Sequence, residues 1–250
     1  MAATHPTAAA GFGRAADAYE RGRPGYPPEA VSHMAAELRL APGATVLDVA
    51  AGTGKLTRML TATGAKVIAV EPVEGMRRVL VSALPDVEVL EGTAEAMPVA
   101  DGSVDAVTVA QAFHWFDAEH ALAEIHRALR PGGSLGLIWN AFDTSLGWVA
   151  ALQALVLVQR RSEPQYGRSG WRVTLEASAL FGPIAERTFG LIQELDTDGL
   201  VARIGSISYI ATLPEAGRGQ LFDEVRALVS GLPRPLRLPY RTDTFITRRL

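Results

Sequence analysis

The chain has 250 residues, 48% of them hydrophobic, with a formal net charge of −3 and no cysteine. That apolar content supports a sizeable core, and one domain with a cap insertion is the simplest partition. The slightly acidic balance argues against a nucleic-acid substrate, which demands a basic face. The missing cysteines exclude disulfides, thiolate zinc sites and the covalent cysteine route to cytosine C5.

No apolar run reaches membrane-spanning length and the N-terminus lacks a signal-peptide core, so the cytoplasm is the expected compartment. The segment from Phe12 to Pro27 precedes the first expected element. A helix is expected over Pro28–Leu38, entered through a proline pair. A buried strand follows over Thr45–Ala50, then a helix over Lys55–Ala62 that stops near Gly64. The β-branched run Lys66-Val67-Ile68-Ala69-Val70 is typical of an inner parallel strand and ends in Glu71. A helix over Val73–Ala83 ends at Pro85.

Val87–Leu90 is a third strand with an exit loop through Pro98, and Asp101-Gly102-Ser103 is a turn. Val104–Ala110 is a fourth strand, and Gln111-Ala112-Phe113-His114-Trp115-Phe116 leaves its carboxyl end. Asp117 caps a helix with the apolar face Ala121, Leu122, Ile125 and Leu129, terminated by Pro131-Gly132-Gly133. Ser134–Ala141 is a fifth strand. The alternation of strand and helix means a doubly wound parallel sheet, since right-handed crossovers cover both faces.

Beyond residue 142 the pattern changes. Ser145–Arg160 is an apolar helix, and Glu163–Gly170 is a polar loop carrying an exposed Tyr166. Ala185–Leu195 and Arg237–Arg248 alternate as strands. Asp198–Ala211 and Pro214–Ser230 are helical.

The most informative stretch is Val46-Leu47-Asp48-Val49-Ala50-Ala51-Gly52-Thr53-Gly54. A strand, a glycine turn and a helix start, with Glu71 on the next strand tip, together hold a nucleoside. A dinucleotide needs Gly-x-Gly-x-x-Gly, but Ala50 and Lys55 stand at the first and third glycine places. A P-loop needs a glycine where Val49 stands and a hydroxyl where Leu56 stands. Alanine in the first glycine place implies that Ala50 has negative φ.

On Asp48, Ala50, Gly52, Gly54 and the Glu71 tip, the chain resembles the class I S-adenosylmethionine-dependent methyltransferases. It is most similar to the small-molecule enzymes of the ubiquinone/menaquinone and trans-aconitate type. The resemblance covers roughly residues 12–250 and is specific from Val46 to Trp139. It implies a Rossmann-like, doubly wound, mostly parallel α/β sheet of seven strands with an antiparallel last strand. One domain, 1–250, would comprise an N-terminal lid and helix (1–40) and a cofactor-binding core (41–142). Cap segments (143–182 and 196–232) and closing strands (183–195 and 236–248) would complete it.

The resemblance implies S-adenosyl-L-methionine as cofactor and S-adenosyl-L-homocysteine as product. Tyr19 and Arg23 of the lid would close on the methionine end, with Arg23 on its carboxylate. Asp48, Ala50, Ala51, Gly52 and Gly54 would form the loop, Glu71 would take the ribose hydroxyls, and Pro72 and Met76 would follow. Thr93, Ala94 and Glu95 would line the adenine edge, with Gln111 and Ala112 opposite. The acceptor site would lie among His114, Trp115, Trp139 and Asn140. His114 is the candidate catalytic residue, orienting or deprotonating the acceptor.

The expected acceptor is a small molecule methylated on oxygen (carboxylate or hydroxyl) or carbon. The fourth strand exits without an Asn/Asp-Pro-Pro-aromatic run, which disfavours methylation of base amines. No metal is expected: His120 and His126, six apart on one helix, do not share a face. The tail arginines Arg234, Arg237, Arg241, Arg248 and Arg249 suit a solvated face better than an anionic substrate. A monomer or homodimer is expected, with neither nucleic acid nor membrane as partner. The rival readings are a non-catalytic nucleoside-binding regulator and an NAD-linked oxidoreductase.

Overall fold

The computed structural model describes Glu20, residues 22–160 and residues 170–250. Tyr19, the lid residues before it and Tyr166 lie outside the described residues.

Helix α1 (Pro28–Glu37) starts on the expected proline pair and buries Ala30, Val31, Met34 and Ala35 at helical spacing. Strand β1 (Thr45–Val49) leads through the glycine turn into α2 (Lys55–Thr61). Strand β2 (Lys66–Val70) leads into α3 (Glu74–Ala83), and β3 is short (Glu88–Leu90). Strand β4 (Val104–Ala110) passes through a 3₁₀ turn (Phe113–Trp115) to α4 (Ala118–Ala128). Asp117 caps α4, accepting from the backbone N–H of His120.

Strand β5 (Leu129–Phe142) is followed by α5 (Gly147–Val158) and α6 (Trp171–Ala177). Strand β6 (Ala185–Leu195), helices α7 (Thr197–Gly205), α8 (Ser208–Ala211) and α9 (Glu215–Val229), and β7 (Leu236–Arg248) complete the chain.

The seven strands form one sheet in the order β3-β2-β1-β4-β5-β7-β6. Pairs within β1–β5 are parallel, whereas β7 runs antiparallel to both neighbours, β5 and β6. The strand order reverses between β1 and β4, so their carboxyl ends open the crevice where ligands bind in such sheets.

Alternate residues supply the two faces. Leu47, Val49, Val107, Val109, Leu135 and Leu137 pack against Ala121, Leu122 and Ile125 of α4. Val46, Val67, Ala106 and Ile138 pack against α1 and against Leu56 and Leu60 of α2. A third core joins α5, α7 and α9 to Leu236, Leu238 and Tyr240, and so anchors the cap on the start of β7.

Three local expectations are corrected. Ala50 has φ 54°, not a negative value. The backbone keeps the left-handed turn that glycine usually makes, because the strand exit and the following loop impose it. Helix α4 stops at Ala128, so Pro131-Gly132-Gly133 lies within the irregular start of β5, where the register against β4 shifts. A Cβ at Gly133 would stand 2.9 Å from the carbonyl oxygens of Arg130 and Asp105, a contact only glycine permits. The expected 198–211 helix is two helices, α7 and α8, separated at Ser206 and Ile207, with Asp196 capping the first through the Gly199 N–H.

Candidate functional site

The crevice at the ends of β1 and β4 holds a pocket lined by Ala50, Ala51, Gly52, Thr53 and Lys55 of the turn, Ala110 and Gln111 of the β4 exit, and Asn140 of β5. Arg23, Pro24 and Tyr26 wall it from the N-terminal side, and Arg203 of α7 from the cap. Non-glycine residues with positive φ stand at both strand exits, Ala50 at 54° and Gln111 at 58°. Such strained positions turn backbone groups into a cleft and cluster at functional sites.

Glu71 braces the turn. One carboxylate oxygen accepts from the Gly52 N–H at 2.9 Å and the other from the Val73 N–H at 2.8 Å. Burial pushes this carboxyl above the usual range, opposed by those two N–H groups. Arg77 clamps the same strand tip by donating to the carbonyls of Glu71 and Pro72, at 2.9 and 2.6 Å. Asp48 works from beneath: it is fully buried and accepts from the hydroxyls of Thr57 at 2.6 Å and Thr108 at 3.0 Å. Burial lifts its pKa to about 6, against those hydrogen bonds.

Glu20 staples the N-terminal segment over the turn. Its carboxylate accepts from the Thr53 hydroxyl at 2.6 Å, and its carbonyl accepts from the Lys55 ammonium at 2.7 Å. Lys55 also lies 3.3 Å from the carboxylate. Burial pushes Glu20 up, but Thr53, Lys55 and Arg58 outweigh it and hold the carboxyl below its ordinary value. Arg23 donates to the Ser206 carbonyl at 3.1 Å, joining this segment to the cap.

The remaining expected residues distribute as follows. Gln111 donates to the Asn140 carbonyl at 3.2 Å, while the Asn140 side chain donates to the Gly25 carbonyl at 2.8 Å. The Thr242 hydroxyl in turn donates to Asn140 at 2.6 Å. Thr93, Ala94 and Glu95 do not line this pocket. Ala94 is buried, and Glu95 accepts from the Asp117 N–H at 3.0 Å. Met76 is buried on α3.

Trp139 is 1% exposed, stacked on Trp171 at 4.8 Å, and donates from Nε1 to Nδ1 of His114 at 3.3 Å. Burial, with the Arg23 and Arg160 cations, pushes His114 down to about 3. His114 packs against Trp115 with ring centroids 5.2 Å apart.

The sequence alone did not single out Glu20, Tyr26, Arg77 or Arg203, and it marked Lys55 only as a residue that breaks the dinucleotide glycine pattern. Arg203 carried a usable signal: a lone cation in the apolar run Leu200-Val201-Ala202-Arg203-Ile204.

The site suits a nucleoside cofactor with a charged amino-acid end. A Cβ at Gly52 would meet nothing within 4 Å, so a ligand can approach the turn's backbone closely. The Thr93 hydroxyl is buried with no hydrogen-bond partner among the described residues. Arg23 and Lys55 supply positive charge for a carboxylate.

Comparison with known proteins finds methyltransferases. A methyltransferase-domain family model matches residues 47–137. An uncharacterized methyltransferase of Mycobacterium tuberculosis is 43% identical over 236 residues, covering 92% of each chain. A methyltransferase-like protein of Schizosaccharomyces pombe is 32% identical over 237 residues, again covering 92% of each. The structure of a type II methyltransferase assignment from Anaeromyxobacter dehalogenans superposes with a TM-score of 0.64 at 25% identity, covering 91% of this chain and 96% of that one.

Proposed function

The chain belongs to the class I S-adenosylmethionine-dependent methyltransferases, and from that premise we propose that it methylates a small molecule on oxygen or carbon, by in-line displacement without a metal. The observation that carries the site assignment is the Glu71 carboxylate, at the end of β2, held 2.9 Å from the Gly52 N–H of the pocket-lining turn. Each carboxylate oxygen accepts one backbone hydrogen bond and keeps a lone pair for a ribose hydroxyl.

In this reading Tyr19, Arg23 and Lys55 hold the methionine end, and Ala50, Ala51, Gly52 and Gly54 pass beneath the ligand. Pro72 and Met76 follow Glu71, Thr93–Glu95 meet the purine, and Gln111 and Ala112 close the other side. Asp48 acts from below by fixing Thr57 and Thr108. The acceptor lies beside His114, Trp115 and Asn140, with Trp139 orienting His114 from the core.

When bound, S-adenosylmethionine supplies a methyl carbon on a sulfonium, so that an acceptor lone pair forms the new bond as the C–S bond breaks and sulfur keeps the electron pair. The chain's task is alignment and exclusion of water, and alignment alone supplies up to about 7–11 kcal/mol. Glu20, Arg23 and the Asn140–Gly25 contact hold the N-terminal segment across the crevice for this purpose. A soluble cytoplasmic monomer or homodimer that does not engage nucleic acid completes the proposal. The net charge of −3 supports the last point.

Calorimetric titration with S-adenosylmethionine, S-adenosylhomocysteine, NAD and ATP tests it. Binding of the first two only, weakened at least tenfold in Glu71→Gln, is expected. A preference for NAD or ATP would overturn the cofactor site.

A further inference from the structure

Arg203 is 8% exposed and sits on α7 among Leu200, Val201 and Ile204, which are all buried. A buried arginine is ordinarily balanced by a carboxylate, because desolvating an unpaired guanidinium is costly. Among the described residues Arg203 makes no ion pair. Its Nε donates to the Tyr240 hydroxyl at 2.9 Å, and that hydroxyl donates onward to Oε1 of Gln193 at 2.9 Å. The Gln193 amide then donates to the Gly22 carbonyl at 3.2 Å. The relay's direction is therefore set: Tyr240 accepts from the arginine and cannot donate to it.

The rings of Phe142 and Tyr240 lie 5.2 and 5.8 Å from the guanidinium carbon. Nε and the ring faces are thus occupied. Nη1 is buried, with no hydrogen-bond partner among the described residues.

Arg203 lines the same pocket as the glycine turn, together with Arg23 and Lys55, and among the described residues no Asp or Glu lines it. Three cations converge there in a protein whose net charge is −3, so the positive field is local. The Glu20 carboxylate lies 3.3 Å from Lys55, and the methionine carboxylate falls to that Arg23 and Lys55 side, whereas no described carboxylate pairs with Arg203.

We infer that Arg203 binds the methyl acceptor, and that the acceptor is a carboxylate-bearing small molecule whose carboxylate seats on the guanidinium. The inference rests on the methyltransferase reading above. It also agrees with a lining that, among the described residues, holds no His, Asp or Glu: a carboxylate arrives with its lone pairs exposed and needs no base. Phe142 and Tyr240 hold the guanidinium flat and pre-oriented for a planar anion.

The test is calorimetry on the full chain, free and saturated with S-adenosylhomocysteine. The probes are hexanoate, benzoate, succinate and tricarballylate, each beside its amide, with phenyl phosphate as a further arm. Carboxylates are expected to bind better than their amides. In Arg203→Met that binding should fall at least tenfold, with S-adenosylhomocysteine affinity within threefold of the parent. The melting temperature should hold or rise, since an uncompensated buried charge is removed. Tyr240→Phe keeps the charge but frees Nε, and should lose only part of the binding.

Equal binding of carboxylates and amides, preference for the phosphate, or retained carboxylate binding in Arg203→Met would overturn the inference. Loss of S-adenosylhomocysteine binding in Arg203→Met would do so too, by placing Arg203 on the cofactor. Failure of the parent protein to bind S-adenosylhomocysteine would instead count against the methyl-donor reading, and the carboxylate arms on the free chain still decide the role of Arg203.

Discussion

The indole N–H of Trp139 points at Nδ1 of His114, 3.3 Å away. Nδ1 therefore accepts, which places the ring proton on Nε2. With its pKa pushed down to about 3, it stays neutral through the physiological range. Under the proposed function it orients an acceptor and does not remove a proton.

The pH profile of kcat/KM should accordingly show no ionisation from His114 between pH 5 and 8. His114→Asn should lower kcat by no more than about tenfold, whereas removing a general base costs roughly 10²–10⁴-fold. Steady-state rates from pH 5 to 9 on both proteins decide it. A limb near pH 6.5 that vanishes in the variant would restore the base role.

Glu20 ties the N-terminal segment to Thr53 and Lys55 across the turn. Glu20→Gln keeps the shape but removes the charge that Lys55 and Arg58 face. It should weaken S-adenosylhomocysteine binding about 5- to 50-fold, as charge-assisted hydrogen bonds of roughly 1.5–3 kcal/mol are lost. Thr53→Val should act in the same direction and less. Calorimetry on the two variants measures this, and unchanged affinity in both would mean the staple has no part in cofactor capture.

Ala50 holds φ 54° without being glycine. That conformation costs an alanine about 1–2 kcal/mol, partly offset by the extra chain entropy glycine loses on folding. Ala50→Gly should therefore leave stability unchanged or raise it by up to about 1 kcal/mol, and Ala50→Val should lower it by about 2 kcal/mol or more. Urea denaturation compares them. A destabilised Ala50→Gly would show that the methyl group packs usefully.

Asp48 and His114 push the pH dependence of stability in opposite directions. The folded protein holds a proton on Asp48 up to about pH 6, against an ordinary value of 3.8. Its charging thus erodes stability as pH rises from about 4 through 6. His114 resists protonation down to about pH 3, against an ordinary 6.5, so its contribution is full above 6.5 and is lost as pH falls. Relative to the parent, Asp48→Asn should gain about 1–3 kcal/mol between pH 4 and 7, and His114→Asn should gain a similar amount as pH falls from 7 to 4. Denaturation at three pH values checks both signs.

The parallel core was legible because Val46–Val49, Lys66–Val70 and Val104–Ala110 are apolar runs with breakers at their ends, and the register follows from burial on both faces. The glycine turn and Glu71 were legible for the same reason: local spacing places them at neighbouring strand tips. The left-handed φ of Ala50 was not, since residue type predicts the opposite and only the tertiary path imposes it. The early end of α4 was hidden because Leu129 fits a helix face and a strand equally well.

Arg203 and Tyr240 come together only when β7 inserts between β5 and β6, 37 residues further along the chain. No local pattern announces that contact. Trp139 looked like a cleft residue because strand ends usually open there, yet alternation turns it into the core while Asn140 faces the pocket.

The most direct test of the central claim is transfer of a labelled methyl group. The protein is incubated with methyl-tritiated S-adenosylmethionine and a cell extract separated into low-molecular-mass, protein and nucleic-acid fractions. Label is expected in the low-molecular-mass fraction, with stoichiometric S-adenosylhomocysteine, and at least tenfold less with Glu71→Gln. No transfer to any fraction, or label confined to protein or nucleic acid, would contradict a small-molecule methyltransferase.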